Sequence, residues 1–412
     1  MRRRIGLMAI IAMIVVACGG TATETTSTTS PPATEGTTAT TAALSSTTAP
    51  ATTTGGGEPI QVGIITTTSG ALQSYGNQYL SGLQAGLDYA TDGSDAVNGR
   101  PVEFVISDDG GDPETAISQA TDLVGQGVDV IAGTVVSGVA VQLAAFAAEN
   151  DILYVSGPAA SDAITGANQN TFRSGRQSYQ DVATAASLID TEGGDVLVFA
   201  QDTEFGAANV AAVQAVLGPR GFNVDSLLVP PTETEFTGFA DQINQADPDL
   251  VFVAWAGETS GAMWQALNQQ KVFDTAPVAT GLADKATWPF YGDAATGISF
   301  LNHYFPGAPD NPVNDYMVAN ADNVDLFTPD GFVAAQMIVH ALTEAGPDDV
   351  AGMISSLEGW TFDAPKGTQT VRASDHAMLQ PMFTVKLVDN NGTLEAELID
   401  TLPPDATAPP ES

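Results

Sequence analysis

From Pro59 onward, short apolar runs alternate with longer stretches in which apolar positions return every three or four residues. "IQVGIITT" reads as a buried strand and Tyr75 to Tyr89 as an amphipathic helix. "PVEFVISDD" is a strand that follows the tight-turn pair Asn98-Gly99. Asp112-Pro113-Glu114 marks a helix start, with a carboxylate to cap free N–H groups and a proline in the first turn. "VDVIAGTV" and "ILYVSG" are strands separated by an alanine-rich helix, Val139 to Glu149. After about Ser178 the same rhythm resumes with "GDVLVFAQD", "FNVDSLLVP", "DLVFVAWAG" and "PVATG", each followed by a helical stretch or a turn. Strand and helix in strict alternation predict parallel sheets covered by helices on both faces. Two such series predict an α/β chain of two doubly wound lobes. Beyond "GISFLNHYF" the pattern changes to helices over 314–321 and 329–345. "FTVKLVDNNGTLEAELID" then predicts two strands joined at Asn391-Gly392, and Asn391-Gly392-Thr393 is read as that turn and not as a glycosylation site.

"IAGTVVSGVA" places a hydroxyl, Ser137, where a strand empties into a helix. Two readings are open. Serine is a favoured helix cap, and helix starts at the carboxyl ends of parallel strands also attract anionic groups.

The ends of the chain differ from the middle. "MRRRIGLMAIIAMIVVACGG" opens with three arginines, continues with an apolar run too short to span a bilayer comfortably, and reaches Cys18, the only cysteine. The pattern looks like a bacterial lipoprotein signal. It implies a signal peptide at 1–17, cleavage before Cys18 and a lipid on its thiol as the sole membrane attachment. Residues 18–57 are rich in Thr, Ser and Ala and cannot bury a core, so a disordered tether with a reach of roughly 35 Å is expected. The tail 403–412 is expected to be disordered as well. No disulfide can form within the chain. With 12 Lys and Arg against 49 Asp and Glu, binding to nucleic acid or anionic lipid is excluded, since both need clustered cations. The imbalance also suits a salt-rich habitat, where screening tolerates self-repulsion.

The ordered set "IQVGIITTTSGALQSYG", "NGRPVEFVISDDGGDPETA", "IAGTVVSGVA", "YVSGPAASDAITG", "NTFRSGRQSYQD" and "FAQDTEFG" resembles the leucine/isoleucine/valine-binding-protein family of periplasmic solute receptors. Two later stretches, "TETEFTGFADQINQADPDLVFVAWAG" and "GTQTVRASDHAMLQPMF", extend the likeness almost to Asp400. The resemblance implies a type I periplasmic binding protein fold with three crossovers, near 174–178, 301–306 and 378–382. It implies an N-terminal lobe of 58–175 with 304–378 and a C-terminal lobe of 176–303 with 379–402. A small solute would bind between them, and closure would present it to an ABC permease of the branched-chain amino-acid type with separate ATPase subunits. A monomer without a cofactor is expected. A sensor that presents bound solute to a signalling partner is the alternative reading.

By the same resemblance, Ser137, Ala159 and Ala160 hold a ligand carboxylate, Tyr75 covers the ligand and Phe205 packs on it from the other lobe. Several positions depart from the amino-acid-binding pattern. Ala160 stands where a threonine is common, with Ser161 next to it. Thr280 stands where an acid would receive an ammonium, and Ser178 replaces a second acid. Glu204, Glu258 and Asp284 are nearby acids able to compensate, or else solvated surface groups. Trp255 replaces a small residue, so the cleft wall is rebuilt, and an amide, a carboxylate or an aromatic compound fits as well as leucine.

Signs of catalysis are absent. "GETSG" and "TVVSG" lack the nucleophile-elbow spacing. His303, His340 and His376 are not at metal-ligand spacing, and His340 and His376 are read as structural. "DDGGD" lacks the closing glutamate of a calcium loop. There is no phosphate-binding Gly-x4-Gly-Lys loop, so energy for transport must come from a partner.

Overall fold

The computed structural model describes residues 57–412; the predicted signal, Cys18 and the tether lie outside the described residues. The first half is built from β1 (Ile60–Thr66), α1 (Gln73–Ala90), β2 (Ala96–Val97), β3 (Arg100–Asp108), α2 (Pro113–Gly125), β4 (Val130–Gly133), α3 (Ser137–Asn150), β5 (Leu153–Ser156) and β6 (Thr171–Arg173). The strands lie in the order β2-β3-β1-β4-β5-β6, all parallel except β2, which turns back onto β3 through Asn98 and Gly99, both at positive φ. The Asp112 side chain accepts from Thr115 N at 2.8 Å and caps α2.

The chain then passes through 174–177 into α4 (Ser178–Ala186), β7 (Gly194–Gln201), α5 (Glu204–Leu217), β8 (Phe222–Val229), α6 (Thr237–Ala246), β9 (Leu250–Ala254), α7 (Ser260–Gln269), the short α8 (Val272–Thr275), β10 (Val278–Thr280) and β11 (Ser299–Asn302). Here the parallel order is β10-β9-β7-β8. Val196, Val198 and Ala200 face α4 and α5, whereas Leu197 and Phe199 face α6 and α7. This period-two alternation is what a strand buried on both sides requires.

The chain returns to the first half with α9 (Pro312–Asn320), α10 (Thr328–Ala345), α11 (Val350–Leu357) and a small antiparallel sheet of β12 (Thr361–Ala364), β13 (Gly367–Val371) and β14 (Met378–Leu379). Phe332 to Leu342 of α10 is almost wholly buried between α1 and the sheet. The last crossing leads to β15 (Met382–Asn390) and β16 (Thr393–Leu402), joined at Asn391-Gly392. With β11 they form a three-stranded antiparallel sheet, which a single bridge between Gly281 and Leu301 ties to the end of β10.

The tail corrects an expectation. Residues 403–412 are placed, with Thr407 fully buried. Arg372 donates through Nη1 to Pro409 O at 2.7 Å and through Nη2 to Pro410 O at 3.2 Å, while Ser412 N donates to Asp375. Proline-rich segments have little conformational freedom to lose, so a few strong bonds to one arginine suffice to hold this one.

Candidate functional site

A cavity of about 400 Å³ opens between the two halves, at the carboxyl ends of β1, β4, β5, β7, β9 and β10. In open parallel sheets this is the preferred ligand position. Tyr75, Phe205, Trp255 and Phe327 supply most of its aromatic wall. Trp255 is fixed by Nε1 donating to Thr259 Oγ1 at 3.0 Å and by ring contacts with Phe199 and Phe236. Tyr75 leans on Phe327, their centroids 4.6 Å apart, and its hydroxyl accepts from Gly257 N at 3.4 Å across the cleft. Burial, then Asp284, pushes the Tyr75 phenol up, so it stays a donor at neutral pH.

Ser137 is not the helix cap. Val136 occupies that position, and Ser137 is the first helical residue. Its Oγ accepts from Ala160 N and Ser161 N, both at 3.2 Å. A hydroxyl with both lone pairs engaged still has its proton to give, and Ser137 lines the cavity. The backbone N–H groups of Ser137 and Gly138 have no partner among the described residues and sit at the positive end of α3. Together they make a ready position for a carboxylate oxygen.

The other expected site residues divide. Ala160 and Thr280 line the cavity; Ala159, Ser161, Ser178 and Asp284 do not. Ala159 is fully buried and its carbonyl accepts from Arg173 Nη2 at 2.8 Å. Ser161 donates to Glu204 Oε1 at 2.7 Å, and Ser178 donates from both N and Oγ to Ala160 O. These three shape the loop that bears Ala160. The Thr280 hydroxyl is spent on Val253 O at 3.0 Å. Of the three compensating acids, Glu204 and Glu258 line the cavity but are exposed at its rim. Asp284 is buried outside it, bonded by Thr287 Oγ1 at 2.7 Å.

Arg176, Asp181, His303 and Phe327 also line the cavity and were not singled out from the sequence as ligand-facing. Arg176 is 5% exposed; its Nε meets Asp181 Oδ2 at 3.1 Å and its Nη1 donates to Pro158 O at 2.7 Å. Its guanidinium lies 5.6 Å from the Phe327 centroid. A signal was available: in a chain with 12 cations, one lying in an expected crossover is worth following. Phe327 arrives from more than two hundred residues past Tyr75, and no local pattern marks it. Behind Arg176, Lys366 and Asp330 form a fully buried pair at 3.4 Å.

Burial, reinforced by Arg176 and Lys366, holds the His303 imidazole well below its ordinary value of 6.5, so it is neutral in the folded protein. The unfolded chain takes up that proton near 6.5. The stabilising contribution is therefore complete above pH 6.5 and is lost as pH falls through 6.5 toward the folded-state value. Each unit in that window costs up to about 1.4 kcal/mol. Thermal melts at pH 7.5, 6.5 and 5.5 should show the wild type losing stability faster than His303→Gln. Equal slopes would discard the assignment. The remaining histidines are structural: His340 stacks on Trp360 and bonds Ser356 O, while His376 stacks on Phe172 and bonds Thr171 O. Among the described residues no cluster of His, Cys, Asp and Glu is placed to hold a metal ion, and no helix is long and apolar enough to cross a membrane.

Two α/β halves joined by repeated crossings around a central cavity define a two-lobed solute receptor. The chain belongs to the periplasmic binding protein family, whose model matches residues 59–393. Members of that family are extracytoplasmic solute-binding proteins and not enzymes. The chain is 25% identical over 303 residues to a Leu/Ile/Val-binding protein of Rhizobium johnstonii, covering 72% of this chain and 82% of the relative. Among solved structures, a branched-chain amino acid ABC transporter protein of Rhodopseudomonas palustris is 28% identical with a TM-score of 0.72, covering 85% of this chain and 99% of its own. A solute-binding protein from R. palustris in complex with 4-hydroxybenzoate has a TM-score of 0.77 at 22% identity, covering 84% of this chain and 97% of its own, a likeness of fold.

Proposed function

We propose that the protein captures a small solute with a polar head and an apolar body, a branched-chain amino acid, an amide or a related carboxylate, and delivers it to an ABC importer. The observation that carries this reading is the cavity itself: an aromatic wall on both sides of the cleft, with Ser137 and the start of α3 as donors at one end. Its volume falls in the range of sites that enclose small ligands. Enclosure couples occupancy to the relative position of the lobes, and a membrane partner can read that position. Lipidation at Cys18 would hold the receptor at the outer face of the membrane, and the tether would let it reach the permease. The relatives named for leucine, isoleucine and valine and the neighbour holding 4-hydroxybenzoate bracket the ligand size.

The test is calorimetric titration and thermal shift of the full chain in mild detergent, at high salt, with branched-chain amino acids, their amides and aliphatic or aromatic carboxylates. A ligand at a hundredfold over its Kd adds about 2.7 kcal/mol of stability. Trp255→Ala should weaken the same ligand at least tenfold; because its ring also packs on Phe199 and Phe236 the unliganded melt should fall as well, so affinities are compared well below both melts. A binder indifferent to Trp255 would move the site elsewhere.

A further inference from the structure

The buried part of the cavity is rich in donors and poor in acceptors of charge. On the donor side stand the Ser137 hydroxyl, the free N–H groups at the start of α3 and the guanidinium of Arg176. Arg176 spends Nε on Asp181 and Nη1 on Pro158 O, and its Nη2 has no partner among the described residues. The side chain is more than nine-tenths buried, lines the cavity and packs against Phe327, so the unspent edge of a charged group borders the ligand space. Arg176 also lies close to the serine end: its Nη1 bonds Pro158 O, two residues before the N–H that Ala160 gives to Ser137. On the acceptor side the only buried acid lining the cavity is Asp181: its Oδ2 takes Arg176 Nε, and its Oδ1, without a partner among the described residues, has almost no surface open to the cavity. Thr280 carries no charge and its hydroxyl is bonded to backbone, while Glu204 and Glu258 stand exposed at the rim.

An α-ammonium brought into this space would face a guanidinium and the positive end of a helix, and the one buried carboxylate nearby, Asp181, presents to the cavity no oxygen that Arg176 has not taken. Unpaired charges of like sign in a water-poor site are strongly disfavoured. A carboxylate without an ammonium meets complementary groups on both sides.

We infer that the ligand is an anion lacking an ammonium group, a small carboxylate whose charge is shared between Ser137 with the start of α3 and the free edge of Arg176. This rests on the cavity being the solute site and narrows its ligand class. Guanidinium geometry suits it: the planar fork holds Asp181 with Nε and Pro158 O with Nη1 and leaves Nη2 for a carboxylate oxygen.

The test uses matched pairs that differ only at the α-carbon: leucine against 4-methylpentanoate, valine against 3-methylbutanoate, and phenylalanine against 3-phenylpropanoate. Titration calorimetry on the full chain should show at least tenfold tighter binding for the ammonium-free member of the best pair. Arg176→Gln combined with Asp181→Asn removes the ion pair without leaving a buried charge alone, and should erase that preference while a folded melt is retained. If the amino acid binds as tightly as its partner or more tightly, the inference is overturned and the cavity still stands as the solute site. If a preference exists but survives the double variant, Arg176 is not its source and the assignment falls. If no member of any pair binds, the reading of the cavity is itself overturned, and the inference with it.

Discussion

Replacing Arg173 with alanine should cost about 3–5 kcal/mol, the range for leaving buried polar partners uncompensated, and lower the melting temperature by on the order of ten degrees. Arg173 is 1% exposed, and burial lowers its pKa only to about 10, so it stays charged in neutral solution. Its guanidinium makes five hydrogen bonds: to the carbonyls of Gly175, Ser161, Ala159 and Arg176 and to Thr165 Oγ1. It therefore joins the loop after β5, which bears Ala160, to the first crossing, which bears Arg176. Removing it strands three buried carbonyls, those of Gly175, Ala159 and Arg176, while Ser161 O keeps Ile164 N at 3.4 Å; that is still a much larger loss than that of a typical surface ion pair. Lysine should rescue little, since one ammonium with three donors cannot replace a five-donor fork. Differential scanning calorimetry on the wild type, Arg173→Ala and Arg173→Lys decides it. A loss below about 1 kcal/mol for alanine would mean that water satisfies these carbonyls unaided.

The second large effect is expected where α1 crosses α10. A Cβ at Gly82 would lie 1.8 Å from Thr328 O, one at Gly331 would lie 1.9 Å from Tyr79 O, and one at Gly86 would lie 2.5 Å from Phe332 O. These contacts are with backbone, which cannot rotate away as a side chain can. Gly82→Ala or Gly331→Ala must push the two helices apart and break the packing of Tyr79, Leu83, Val333 and Met337 with the sheet. Overpacking of this kind costs roughly 1–3 kcal/mol or more, and the high end is expected because neither helix can move without the other. Gly238 in α6 supplies the control, as a Cβ there meets nothing within 4 Å. Gly238→Ala should stabilise by up to about 1 kcal/mol through helix propensity alone. Urea denaturation of the three variants reads both signs. Similar behaviour of Gly82→Ala and Gly238→Ala would show that the crossing has slack.

Much of the architecture was legible from period alone. The parallel strands of both halves, the proline-started α2 and the Asn-Gly hairpins at 98–99 and 391–392 follow from local rules, because each element there agrees with its own propensity. The β12–β14 sheet was not singled out, since "TFDA" and "GTQTV" are short, half polar and flanked by no strong turn pair. The tail was misread for a related reason: "LPPDATAPPES" has the composition of a disordered segment, and what holds it is Arg372, thirty-odd residues away. At the site, the strand-to-helix position of Ser137 was legible, but its bonding was not. Local sequence cannot show that Ala160 and Ser161 bring their N–H groups to its oxygen. Ser178 and Ala159 look like ligand contacts by position, yet a fold that has to satisfy Ala160 O and Arg173 employs them there instead. Arg176 and Phe327 form one wall only after the first and second crossings bring them together.

Neither half is a continuous piece of chain. The first sheet begins at Ile60, but α10, the helix that seals it, starts at Thr328; the second begins at Gly194, but β15 and β16 finish only at Leu402. As the chain is synthesised, residues 60–154 and 182–301 can cover one face of each sheet by themselves, but the other face stays open until α10 or β15 exists. Pairings so distant in sequence form slowly, so the emerging chain keeps one face of each sheet uncovered until late. A chain that crosses a membrane before folding benefits from that delay. For the same reason, no simple truncation of the gene should yield a stable single lobe.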